Sequence, residues 1–128
     1  MKNNPGADKN KNGEFKDPRK SALFFIPEED LDSKTELDGL RQTVFIDRYS
    51  LKDKDGASME KFPEQMWHRV SKGIAQFEEE KERSEWERKF YDVMKDFKFV
   101  PGGRILSGAG TGYEVTFFNC YVINVLSR

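Results

Sequence analysis

The chain has 128 residues, 35% of them charged, with a formal net charge of −1. That length suits one small domain rather than a complete large enzyme, and the mixed charges give no field favouring nucleic acid or an anionic membrane. One cysteine and one histidine exclude an internal disulfide and a zinc site, and no apolar run approaches the roughly 20 residues needed to span a bilayer.

Met1 to about Arg19 is rich in Asn, Lys, Asp and Gly. Such a segment buries too little apolar area to offset its ordering entropy, so a solvated tail is expected. It has no apolar core of a signal peptide, which makes the cytoplasm the expected location. Leu23 to Ile26 form a short apolar patch closed by Pro27, suited to docking as an arm. Residues 1–34 are assigned as a disordered or extended tail.

From Thr35 to Leu51, Leu37, Leu40, Val44 and Phe45 fall near helical spacing before the turn Lys54-Asp55-Gly56. Pro63 stands where a helix starts. Met66, Trp67, Val70, Ile74 and Phe77 then predict an amphipathic helix to about Lys81. Ser84 and Glu87 have the spacing of a capping box, and Trp86, Phe90, Val93, Met94 and Phe97 continue a second helix that Pro101-Gly102-Gly103 stops. Two helices so closely linked predict an antiparallel hairpin. The aromatic stripe is read as core.

Arg104 to Leu106 is read as extended, followed by the glycine-rich Gly108-Ala109-Gly110-Thr111-Gly112. Val115 to Val125 reads as a strand, apolar on both faces like one buried inside an α/β sheet. Its partners must come from another chain or from further sequence.

Few of these features carry chemistry by themselves. The glycine stretch matches neither nucleotide-binding glycine motif and precedes a strand, so a turn is the simpler reading. Arg104 suits either a phosphate or an ion pair. His68 has no catalytic partner at a recognisable spacing, and Glu78 to Arg83 is a solvated helix end and turn. Cys120 in an apolar strand is ordinarily a small buried hydrophobe. Asn119 beside it needs hydrogen-bond partners if buried.

The stretch Phe99-Val-Pro-Gly-Gly-Arg-Ile-Leu-Ser-Gly-Ala-Gly-Thr111, followed by Thr116-Phe-Phe-Asn-Cys-Tyr-Val122, resembles the entry to the catalytic barrel of ribonucleotide reductases. It is most similar to the adenosylcobalamin-dependent class II enzymes. Val44 to Asp53 and Pro63 to Val70 are similar to that family's N-terminal helical region, and the likeness covers about Thr43 to Val125.

The resemblance implies a mainly α fragment: a helical N-terminal domain over residues 35–100, leading at 101–128 into the first strand of a ten-stranded α/β barrel. It implies reduction of ribonucleoside di- or triphosphates to deoxyribonucleotides by thiyl-radical chemistry. Cys120 would be the first of the two cysteines that supply reducing equivalents and end as a disulfide. Gly103, Ser107 and Asn119 would contact substrate with it, Gly103 through its backbone. Adenosylcobalamin, the partner cysteine and the radical-bearing cysteine would belong to further sequence. A thioredoxin-like protein would reduce the disulfide.

The chain is thus expected to be a fragment, a truncated product or one part of a split enzyme, inactive alone, with no membrane or direct DNA contact. Two other readings fit the residues. One is a class I large chain served by a separate radical-generating subunit. The other is a non-catalytic helical assembly module whose strand adds to a partner's sheet.

Overall fold

The computed structural model describes residues 24–120 and 122–123. Four α-helices lie among them: α1 (Gly39–Val44), α2 (Pro63–Ala75), α3 (Arg83–Met94) and α4 (Gly103–Gly108). Phe45–Tyr49 prolongs α1 as one wider π turn. The sole β pairing among the described residues is an isolated bridge between Lys52 and Ser58.

The central element is α2. Pro63 occupies its first turn, where a missing N–H costs nothing. Phe62 has no side-chain oxygen to cap the helix, and Gln65 compensates: its Oε1 accepts from the backbone of Lys61 (2.7 Å) and Phe62 (3.1 Å). Met66, Trp67, Val70 and Ala75 are buried in the core. So are Glu64, Gln65, Arg69 and Ser71, which means α2 is enclosed by neighbours rather than laid on a surface.

One neighbour is α3, packed antiparallel as the short link predicts. His68 stacks on Tyr91 with ring centroids 4.1 Å apart. Trp67 meets the edges of Tyr91 and Phe97 at 6.5 and 5.0 Å. Such edge contacts add about 1 kcal/mol each beyond area burial. The apolar arm supplies a second cover: the Gln65 Nε2 donates to the Ile26 carbonyl (2.8 Å), and Lys72 lies over the Phe24 ring. Leu23 and the tail expected before it lie outside the described residues.

Several elements differ from the sequence reading. Helix α2 ends at Ala75, short of Lys81, and leaves Phe77 exposed. Four acids, Glu78, Glu79, Glu80 and Glu82, would sit at its negative C-terminal end and disfavour extension. The Ser84–Glu87 box does not form, because the helix starts one residue before Ser84, after Glu82. Helix α3 stops at Met94, well before Pro101. Asp96 and Phe97 adopt left-handed backbone (φ 59° and 58°), which breaks the helix and turns Phe97 onto Trp67.

Arg104 to Leu106 is not extended but lies in α4. The Gly102 carbonyl accepts from Ile105 (2.9 Å) and Leu106 (3.2 Å), and burial of Leu106 rewards the helical turn. The strand read from Val115 onward is not formed over its described part: residues 114–120 have no regular structure. A strand needs a ladder partner, and no second strand lies among the described residues. Residues 121, 124 and 125 of that segment are outside them. The described fold is therefore all-α.

Candidate functional site

Three of the residues singled out for chemistry, Gly103, Ser107 and Asn119, gather around α4. Gly103, in its first turn, faces Tyr49: a Cβ added at Gly103 would sit 3.4 Å from the Tyr49 ring. The Asn119 side chain passes over Gly102, with its Nδ2 3.5 Å from where a Cβ would be. Gly103 and Asn119 are thus brought to one end of α4. Ser107 lies one turn further along. Its hydroxyl donates only weakly, to the Arg104 carbonyl at 3.5 Å. Cys120 is an exposed free thiol on the irregular segment and lines no described cavity.

Two cavities flank this helix. An apolar groove of about 390 Å³ runs between Leu37, Val44, Tyr49, Met66, Phe97 and Gly103. A smaller, more polar one of about 190 Å³ is lined by Ser107, Thr111 and Tyr113 on one side and Asp47, Arg48 and Lys52 on the other. Gly103 and Ser107 therefore face different cavities.

What holds α4 in place is Arg69, which sequence reasoning missed. Its guanidinium is fully buried. It donates to the carboxylate of buried Glu60 through Nε (2.7 Å) and Nη2 (3.2 Å). It also caps the C-terminal carbonyls of α4, at Leu106 (2.9 Å) and Ala109 (2.6 Å), and reaches the Tyr49 carbonyl (3.0 Å). Glu60 in turn accepts from the Leu51 backbone (2.9 Å). A helix this short cannot satisfy its own ends, so one side chain from α2 does so. The available signal was a cation set within an apolar helical stripe, between Trp67 and Val70.

The glycine-rich stretch serves the same packing rather than an anion. Gly110 (φ 71°) rests on the Arg69 backbone, and a Cβ there would overlap the Arg69 carbonyl oxygen. A Cβ on Gly73 would lie 2.5 Å from the Gly110 nitrogen. Helix and loop touch backbone to backbone because both positions lack a side chain.

Electrostatics concentrate between α2 and α3. Burial pushes the His68 imidazole below its ordinary value, against the opposing pull of Glu87, Asp32 and Glu64. Burial likewise raises the Tyr91 phenol, with Glu64 and Asp32 adding to it. The Thr35 hydroxyl donates to Glu64 Oε1 (2.5 Å), while buried Oε2 has no hydrogen-bond partner among the described residues. No group of three or more His, Cys, Asp or Glu side chains among the described residues is placed to hold a metal ion. No helix among them is long and apolar enough to cross a membrane.

Residues 35–114 match the sequence profile of the ribonucleotide reductase all-alpha domain. The chain belongs to the ribonucleotide reductase family. The match spans all four helices, the Arg69–Glu60 pair and the glycine-rich turn, and it stops before Asn119 and Cys120. No curated protein and no solved structure matches the chain. This is part of a reductase large chain, in a family whose substrates are ribonucleotides. The match leaves the class undivided.

Proposed function

We propose that the chain supplies the helical domain and the first reducing cysteine of an adenosylcobalamin-dependent, class II ribonucleotide reductase. The reading rests on one observation: Cys120, an exposed thiol, follows six residues after the end of the family match at residue 114, in the Asn-Cys-Tyr-Val context of the class II resemblance. Asn119 and Gly103 at one end of α4 would border the sugar, Gly103 through its backbone, and Ser107 would contribute from the same helix. The cofactor's contacts would fall to the remainder of the reductase chain.

In this scheme Cys120 acts as one half of a dithiol. Two thiols give up two electrons and two protons and join as a disulfide. The ribose 2′ hydroxyl leaves as water, and a hydrogen takes its place. The second thiol comes from the remainder of the chain, and a thioredoxin-like protein restores the pair. A thiol held beside the ribose gains its rate from placement. The cytoplasm, where free thiols persist, is the proposed compartment.

The test is reconstitution with the remaining reductase polypeptide, adenosylcobalamin and a thiol reductant. Nucleotide reduction should require the cofactor, and Cys120→Ser should abolish turnover driven by a thioredoxin-like protein. Cofactor-independent turnover that instead needs a radical-generating subunit would transfer the chain to class I. Full activity of the Cys120→Ser protein would leave a helical assembly module as the reading.

A further inference from the structure

Residues 24–38 lie ahead of α1 and include none of those assigned above to reductase chemistry. They cross α2 as a strap held by side chains. Phe24 lies under Lys72, in the last turn of α2. The Ile26 carbonyl accepts from Gln65 (2.8 Å). Glu28 pairs with Lys34 at 3.0 Å and Lys61 at 3.8 Å, and Lys34 stands over the Phe62 ring. Thr35 donates to Glu64 (2.5 Å). The strap covers Glu64 and Gln65, both buried, yet anchors nothing of its own in the core. None of residues 24–44 is fully buried. No backbone–backbone hydrogen bond joins residues 24–37 to the rest of the described chain. The latch itself is incomplete. Glu64 Oε1 has the Thr35 hydroxyl, while buried Oε2 has no hydrogen-bond partner among the described residues. Burying a carboxylate oxygen without a donor is costly, and water supplies that donor once the cover lifts. Opening therefore forfeits little apolar burial and relieves an unmet hydrogen bond.

We propose that residues 24–38 open from α2 while the helices stay folded, and that the Thr35–Glu64 latch thereby controls one wall of the apolar groove beside α4. Local opening of this kind belongs to segments with few buried contacts and few backbone hydrogen bonds. The link to the groove is covalent. Leu37 follows Thr35 by two residues, packs against the core and lines the groove opposite Gly103. With the latch closed, Leu37 is held in the wall. With it open, Leu37 is released and the groove widens. Helix α4 keeps its place in both states, because Arg69 bonds to Glu60, Tyr49, Leu106 and Ala109, none of them in the strap. A partner that supplies a donor to Glu64 Oε2 would compete with the closed strap and so act on the groove from the far side of α2. The inference concerns this chain alone and holds for either class of reductase.

The test is limited proteolysis of the full chain with trypsin, read by mass spectrometry. Two peptide bonds are followed, the one after Lys34 in the strap and the one after Lys72 in α2. Each rate is divided by that of the same bond in the urea-unfolded chain, which removes the effect of a substitution on intrinsic cleavage. The bond after Lys34 should be cut far more readily, at a rate that low urea leaves unchanged. Thr35→Val leaves both Glu64 oxygens without a donor and should speed that cut about tenfold. Cleavage after Lys72 and the helical circular dichroism should not change. Adding Glu64→Met removes the unmet oxygen and should bring the rate back below that of Thr35→Val. In a 15N-resolved spectrum of Thr35→Val, the Gly103 amide should shift with the groove wall. Cleavage at both bonds that rises together with urea would overturn the proposal, since the strap would then open only with the whole chain. So would a Thr35→Val protein that has lost its helices or is cut at the parent rate, a double variant no slower than the single one, or an unmoved Gly103 amide.

Discussion

Arg69 Nε donates to Glu60 Oε1 across 2.7 Å, and neither side chain has any exposed surface. The pair joins the middle of α2 to the segment before it, and the free donors of the same guanidinium hold the end of α4. A buried charge left without its partner is far more costly than an intact pair is stabilising. Arg69→Met is therefore expected to destabilise the chain by about 3–5 kcal/mol, enough to unfold many small domains. Joint replacement, Arg69→Met with Glu60→Leu, should recover part of that loss, and denaturant unfolding of the single and double variants measures the coupling.

The same hub explains a prediction for glycine. Gly110 is left-handed and pressed against the Arg69 carbonyl, whereas Gly56 is left-handed (φ 83°) with nothing within 4 Å of an added Cβ. Gly56→Ala carries backbone strain alone, about 1 kcal/mol. Gly110→Ala adds overpacking against a helix backbone that cannot yield, and about 3 kcal/mol in total is expected. Comparing the two variants by thermal unfolding separates strain from overlap. Equal losses would mean that the loop relaxes away from α2.

His68 gives a pH dependence with a defined sign. Its folded imidazole is held below the ordinary 6.5, first by burial, with Lys72 adding to that, and against Glu87, Asp32 and Glu64. The unfolded chain then binds the proton more readily, so stability rises with pH in that range. The contribution is complete above about 6.5 and is lost as pH falls through the folded value. His68→Phe keeps the stack on Tyr91 and should remove this part of the pH slope, as read by unfolding midpoints between mildly acid and neutral pH.

The helices α2 and α3 were legible because their apolar residues repeat at helical spacing and Pro63 marks a start. Their ends were not: Phe77 and Phe97 continue the periodic pattern, yet acidic repulsion ends one helix and left-handed backbone at Asp96 ends the other. Helix α4 escaped detection for a different reason. Six residues bounded by glycines carry little local preference, and its stability comes from Leu106 in the core and from Arg69 on its carbonyls, both tertiary effects. The glycines read as a turn are a turn, but their purpose depends on Gly73, far away in the sequence. Gly103 and Asn119 could be brought together from the family resemblance, while the separate cavities of Gly103 and Ser107 could not.

Cys120 differs between its sequence context and its structural setting. Placed in an apolar strand it would be a buried hydrophobe, inert to thiol reagents. In the structure no strand forms over the described residues 114–120, and the thiol is exposed. A disulfide-forming dye should therefore label the native chain at one site per molecule, with the same extent as in denaturant, and Cys120→Ser should take no label. The irregular segment around it exposes Phe118 at 73% and Val122 at 94%, an apolar surface with unpaired backbone that invites strand pairing. Addition of the remaining reductase polypeptide should pair this segment and slow the labelling. Labelling of Cys120 that is equally fast with and without that polypeptide would mean the thiol stays outside the barrel, and its role as reductant would have to be abandoned.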